Sequence, residues 1–235
     1  MVEGDRLVEL SGAPPLSAKF VAGEHGHELI LVSSAATFLE DDRLSIELHL
    51  GAGTSLTVRS TGAQLAFPCL GPGSSALVVD VAVASGASLV WRPEPLVACG
   101  GCRHASSARV DLADPTSRVL WCDELVLGRS GEAVSGIDVS SRLRIDRAGR
   151  PVLRDGIRTA ATDAFGGAVF GNARFLATVV DVGWNVLDAT SAPGSMPLAG
   201  GGTVLRRLAP TAIGRDALHR RLDDLVHPAV ARVPF

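Results

Sequence analysis

Thiols, imidazoles and carboxylates at short spacing are the groups in this chain that could do chemistry. Cys99 and Cys102 flank two glycines, and His104 follows closely. Thiolates with an imidazole form a donor set suited to zinc or nickel. A structural zinc site needs four ligands, however, and there is no second C-x-x-C. Cys69 and Cys122 could complete a site only by folding close, and the alternative is a plain Gly-Gly turn. His25 and His27 in GEHGHE could chelate a divalent ion or lie in a solvated loop. Carboxylates cluster at Asp41 and Asp42, at Asp123 and Glu124, and at Asp155. Turned inward, such side chains need a partner, a water-filled passage or a metal, because a lone buried charge is costly. No G-x-S-x-G, Walker loop, H-E-x-x-H or dinucleotide fingerprint is present, so no familiar nucleophile site is supported.

The elements that would position these groups are mostly strands. HELILV (residues 27–32) and RLSIELHL (residues 43–50) come first, the second with Leu44, Ile46, Leu48 and Leu50 on one side. Residues 46–60 then echo residues 79–93, with Ser55 and Ser88 33 residues apart. A third copy covers residues 108–124, where Ser117 lies 29 residues after Ser88 and Asp114-Pro115 replaces the glycine turn. Repeats of this length fit the stacked coils of a β-solenoid; ordinary hairpins in a sandwich fit as well. Two of the copies end on tryptophan, at Trp91 and Trp121. Residues 137–158 read as a hairpin about a turn at 146–151, and strands are expected near residues 7–10, at 175–187 with an interruption at Gly183, and at 203–209. The one helix expected covers about 216–227, from a cap at Asp216 with Leu218, Leu222 and Leu225 on one face.

Composition narrows the function classes. The 235 residues suffice for one all-β domain, and 46% hydrophobic with 20% charged residues marks a folded chain. A net charge of −3, 4% aromatics and no tyrosine argue against nucleic acid as a partner. No apolar run reaches the ~18 residues of a membrane span, and the acidic start lacks the pattern of a signal peptide. A cytoplasmic protein with reduced thiols is the expectation.

Four stretches, residues 39–68, 91–104, 119–129 and 147–158, carry a resemblance. Their GTSLTVRSTGAQLAFP, WRPEP, VLWCDELVLGR and GRPVLRDGIR occur in the order seen in the urease accessory protein UreD (UreH) family, and LRRLAPTA (residues 205–212) resembles that family's ending. There are departures: Ala36-Thr37 stands for a glycine pair, Asp41 for the glycine before Asp42, residues 64–67 for T-K-x-Y, and Asp155-Gly156 for an E-R pair. The resemblance implies a mainly β, β-helical or solenoid-like body of many strands with a small C-terminal helical part. That is a single domain over residues 1–235, its β body about 5–212. It implies a non-catalytic role with UreF, the GTPase UreG and apo-urease subunits, no tightly bound cofactor, and nickel as transient cargo in a polar internal passage. The matched positions are Asp42, Gln64, Asp123 and Asp155. Oxygen ligands would hold a passing dication briefly, where a closed thiolate cluster would trap it. Glu124 could add to Asp123, although strand alternation would turn it the other way. Glu94 and Arg129 match family positions too, with an ion pair or turn role as the other reading. Two rival classes are a polysaccharide-acting β-solenoid enzyme, for which few aromatic platforms are present, and an interaction module stabilised by zinc on Cys99, Cys102 and His104.

Overall fold

The computed structural model describes residues 2–3, 6–7, 9–22, 26–35, 37–132, 134–159, 170–187 and 193–210. In chain order the strands are β1 (Val2–Glu3), β2 (Arg6–Leu7), β3 (Leu16–Val21), β4 (His27–Ser33), β5 (Arg43–Leu50) and β6 (Ser55–Ser60). There follow β7 (Gln64–Ala66), β8 (Ser75–Val83), β9 (Ser88–Trp91), β10 (Leu96–Ala98), β11 (Arg103–Leu112) and β12 (Arg118–Leu127). The last are β13 (Asp138–Arg147), β14 (Arg150–Thr159), β15 (Phe175–Val182), β16 (Ser195–Pro197) and β17 (Thr203–Ala209). The expected C-terminal helix lies outside the described residues.

The chain winds as a β-solenoid. On one side β5, β8, β11 and β13 are parallel neighbours; on the other β4, β6, β9 and β12 are. Each turn of the coil thus lays its strands beside those of the turn before. Alternation aims one set of side chains at the space between the sheets: in β8, Leu77, Val79, Val81 and Val83 point in while Val78, Asp80 and Ala82 point out. The internal echo is the solenoid itself, because Ser55 pairs with Ser88 and Leu56 with Leu89. Gly53 and Gly86 make the repeated corner at φ 71° and 69°, a left-handed conformation that glycine adopts without strain.

The third coil departs from the sequence alignment by one residue: Arg118, not Ser117, is the partner of Ser88. The Asp114-Pro115 corner sets this offset. Asp114 accepts the Thr116 N–H and hydroxyl, Thr116 Oγ1 in turn accepts the Gly86 N–H, and Ser117 is fully buried at the turn. Trp121 also does not end its unit. Where the second coil breaks at Pro93 to Pro95 into β9 and β10, β12 runs straight through and pairs with both.

After β13 the winding stops and the chain turns antiparallel. The β13–β14 hairpin turns on Ala148 and Gly149, both at positive φ, which is tighter than the turn at 146–151 expected from sequence. Pro151 is tolerated because β14 is an edge strand. On the other sheet β15, β17 and β16 extend antiparallel from β12. Of the early strand expected near residues 7–10, Leu7 belongs to β2, and the described residues 9–10 lie outside any strand.

Candidate functional site

A polar row crosses the inner face of the second sheet. Asp123 on β12 is the register partner of Thr178 on β15, and Thr178 is the partner of Arg206 on β17. The Arg206 guanidinium donates through Nε to Thr178 Oγ1 at 3.3 Å. Through Nη2 it forms an ion pair with Asp155, which projects from β14 on the opposite sheet. These groups and Gln64 line one cavity of about 100 Å³ between the sheets, space for a few waters. Ser106 and Ser141 add hydroxyls from the facing strands, and the remaining wall is largely Leu, Val and Trp.

Asp123 is held by tryptophan. Trp91 and Trp121 are register partners one coil apart, their rings stacked at 4.7 Å and 8°. Trp121 Nε1 donates to Asp123 Oδ2 at 2.6 Å. Trp91 Nε1 closes no hydrogen bond but faces the same carboxylate and helps to lower its pKa. Burial is the larger effect and pushes the Asp123 pKa up to about 6, because the charged form is desolvated and no cation compensates it. The side chain is only half-buried by area. The space it opens onto is the cavity between the sheets.

At another part of the lining, His104 is buried against Phe38, with ring centroids 4.4 Å apart, and its Nδ1 lies 2.9 Å from Ser75 Oγ. Burial lowers its pKa to about 4, so the ring is neutral at pH 7. Cys99 and Cys102 do not join it. They are the two ends of a buried turn in which the Cys102 N–H donates to the Cys99 carbonyl, and Cys102 packs into the hydrophobic core. Burial raises both thiol pKa values, that of Cys102 to about 12. Among the described residues no group of three or more His, Cys, Asp and Glu side chains is placed to hold a metal ion. The soft-donor cluster read from the sequence is therefore not assembled, and the cavity carboxylates are spread along the wall instead.

Asp42 lies elsewhere. Its Oδ2 accepts the Leu39 N–H at 2.8 Å in an exposed turn, away from the cavity lining. In that turn Asp41, standing for the family's glycine, takes φ 69°. Its neighbour Glu40 accepts backbone N–H groups from Leu70, Gly71 and Gly73, and Arg103 bonds the Gly71 and Gly73 carbonyls. A Cβ on Gly73 would press against the Asp41 and Glu40 side chains, which would have to shift to admit it. Arg129 pairs with Glu132 at 3.2 Å, and Glu132 also accepts the Gly100 N–H, which is a turn-holding role. Glu94 is exposed at the cavity rim, where its N–H donates to Ser60 Oγ, and Glu124 also contributes to the lining.

Three of the four motif-matched positions thus share one cavity. Arg206 and Thr178 complete the polar row and were not found from sequence. Arg206-Arg207 reads as an ordinary charged pair, and only the strand's register decides which of the two arginines points inward.

Fold and site together define a β-solenoid protein with a hydrophobic core and an inter-sheet cavity into which a few polar side chains project. A model of the UreD urease accessory protein family matches residues 3–234. Urease accessory protein UreD of Parafrankia sp. (strain EAN1pec) is 32% identical over 247 residues, covering 94% of this chain and 82% of that protein. The same-named protein of Streptomyces avermitilis is 32% identical over 235 residues, 94% and 90% of the two chains. That of Frankia alni is 35% identical over 222 residues, 84% and 72%. The chain belongs to the UreD urease accessory protein family. Among the described residues no helix is long and apolar enough to cross a membrane.

Proposed function

We propose that this chain is a non-catalytic urease maturation factor of the cytoplasm that works with UreF and the GTPase UreG to deliver nickel to apo-urease. Nickel is transient cargo, passed along the cavity that Gln64, Asp123 and Asp155 line. The observation that carries this reading is the convergence of these three positions, from β7, β12 and β14, on one cavity between the sheets. Carboxylate, amide and hydroxyl oxygens set along a wall suit an ion that must enter and leave, since multi-site weak binding permits conduction. Relatives of the same name are accessory proteins of urease, which supports a role in assembly and not in turnover.

The test is urease activation in cells that carry Asp123→Ala or Asp155→Ala, with UreF co-purification as the control for folding. Lower urease activity and nickel content with intact UreF binding is the expected result. Wild-type activation by both variants removes the passage role from these residues.

A further inference from the structure

The Asp155–Arg206 ion pair in the cavity lining joins the two sheets, which share no strand pairing among the described residues. Asp155 sits on β14, the edge of one sheet, and Arg206 on β17, next to the edge of the other. Their side chains are a quarter exposed, at 25% and 29%, so the pair stands at the open margin of the cavity and not in its depth. Arg206 is fixed from two directions, by Asp155 across the gap and by Thr178 beside it. Through Thr178 it continues the row that ends at Asp123.

This arrangement treats the two carboxylates differently. Asp155 has a resident cation, whereas no arginine contributes to the environment of Asp123. The guanidinium engages Asp155 through Oδ2 and occupies lone pairs there that a metal ion would use. A dication that takes Asp155 through this oxygen competes with Arg206 for it. The displaced side chain would also release Thr178 Oγ1 as a further oxygen donor.

We infer that Arg206 is the latch of this cavity: it holds Asp155 and closes the margin between the sheets when no cargo is present, and it is displaced by an entering divalent cation. This assignment rests on the nickel-cargo reading and adds to it a gate that closes by itself. The latch makes the empty passage electrostatically neutral at Asp155, so the site need not bury a bare carboxylate between deliveries.

Calorimetric titration of nickel into the full chain tests the latch. Arg206→Gln keeps an amide near Thr178 but removes the competing charge, and it is expected to bind nickel about tenfold more tightly than the unaltered protein, with the gain abolished in Arg206→Gln/Asp155→Asn. Equal affinity in folded Arg206→Gln and wild type overturns the latch while leaving the cargo reading standing. No nickel binding by either protein, alone or in complex with UreF, overturns both. Should Arg206→Gln not fold, the arginine Nε–H resonances of the unaltered chain give the same answer with zinc as a diamagnetic probe. Faster solvent exchange at Arg206 on zinc addition supports the displacement, and an Arg206 signal unmoved at saturating zinc overturns it.

Discussion

Trp91 and Trp121 stand one coil apart with their rings stacked at 4.7 Å, and the Trp121 indole N–H binds Asp123 two residues further along its own strand. One strand face therefore carries both the aromatic step of the solenoid and the carboxylate it positions. Positions i and i+2 share a face in a strand, so the donor and acceptor are neighbours by construction. The indole N–H supplies the carboxylate with a hydrogen bond that partly offsets its desolvation.

Trp121→Phe separates these two roles. The ring stack survives and the N–H donor is lost, leaving Asp123 desolvated with weaker support. The carboxyl pKa is expected to rise above its present value of about 6, and the fold to lose about 1–2 kcal/mol, the usual effect of removing a hydrogen bond to a charged or partly charged group. A carbon-detected NMR titration of the Asp123 carboxyl reads the first effect and urea unfolding the second. An unmoved pKa would show that the cavity, and not the indole, sets the charge state.

Asp123 and His104 push stability in opposite directions over nearly the same pH range. Asp123 is raised to about 6, so between its unfolded pKa near 3.8 and pH 6 the folded protein holds a proton that the unfolded chain has released. Stability from this group falls as pH rises through that window. His104 is lowered to about 4, so between pH 4 and its unfolded 6.5 the unfolded chain binds the extra proton, and stability rises with pH. Each shift corresponds to at most about 3 kcal/mol, and for Asp123 to less, because its cavity admits water. Relative to the unaltered protein, Asp123→Asn should gain stability steadily from pH 4 to 6, and His104→Gln should gain most at the acid end. Urea midpoints at four pH values check this; two difference profiles of the same slope would refute the assignment.

Much of this architecture can be read from residue order. The period-two strands, the 33-residue spacing of Ser55 and Ser88 and the glycine corners at Gly53 and Gly86 are local signals, and the coil repeats them in space. The one-residue offset at Ser117 was hidden because a Thr116 hydroxyl and an Asp114 carboxylate rebuild the corner without a glycine. Gln64, Asp123 and Asp155 were found through motif positions, since nothing in their own strands marks them as cavity-facing. Asp42 shows the converse. Its motif position is filled, but its carboxylate closes a surface turn. Arg206 was illegible because its partner Asp155 comes from another sheet 51 residues earlier in the chain.

The loop between β7 and β8 is organised by one side chain. Glu40 gathers three backbone N–H groups, and Arg103 holds carbonyls of the same loop, leaving Leu70 at its tip 99% exposed. The hydrogen bonds from Gly71, Gly73 and Leu70 together hold the Glu40 pKa below the usual carboxylate range, with a smaller contribution from Arg103. Glu40→Ala should loosen this loop locally without unfolding the solenoid. Hydrogen exchange at Leu70, Gly71 and Gly73 is expected to accelerate about tenfold or more while β8 and β11 amides keep their protection. Uniform loss of protection across the sheets would show that the clamp supports the whole fold.

The cysteines give a direct test of whether the turn at Cys99 and Cys102 is a latent soft-metal site. Cys99, Cys102 and Cys122 are buried, and burial raises all three thiol pKa values, to about 12 for Cys102 and Cys122. A thiol reacts as its thiolate, so these three are doubly protected, by access and by protonation. Cys69 is only partly buried, with its sulfur 3.9 Å from the Arg103 carbonyl. Native protein treated with a thiol-disulfide reagent at pH 8 should therefore modify Cys69 first, with the other three reacting only on unfolding. Mass spectrometry of the labelled peptides identifies the site. Rapid labelling of Cys99 or Cys102 in the native state, or its suppression by stoichiometric zinc, would mean that the turn opens to solvent and can present thiolates. In that case the turn next to β11 would be a soft competitor for the nickel route proposed along Asp123 and Asp155.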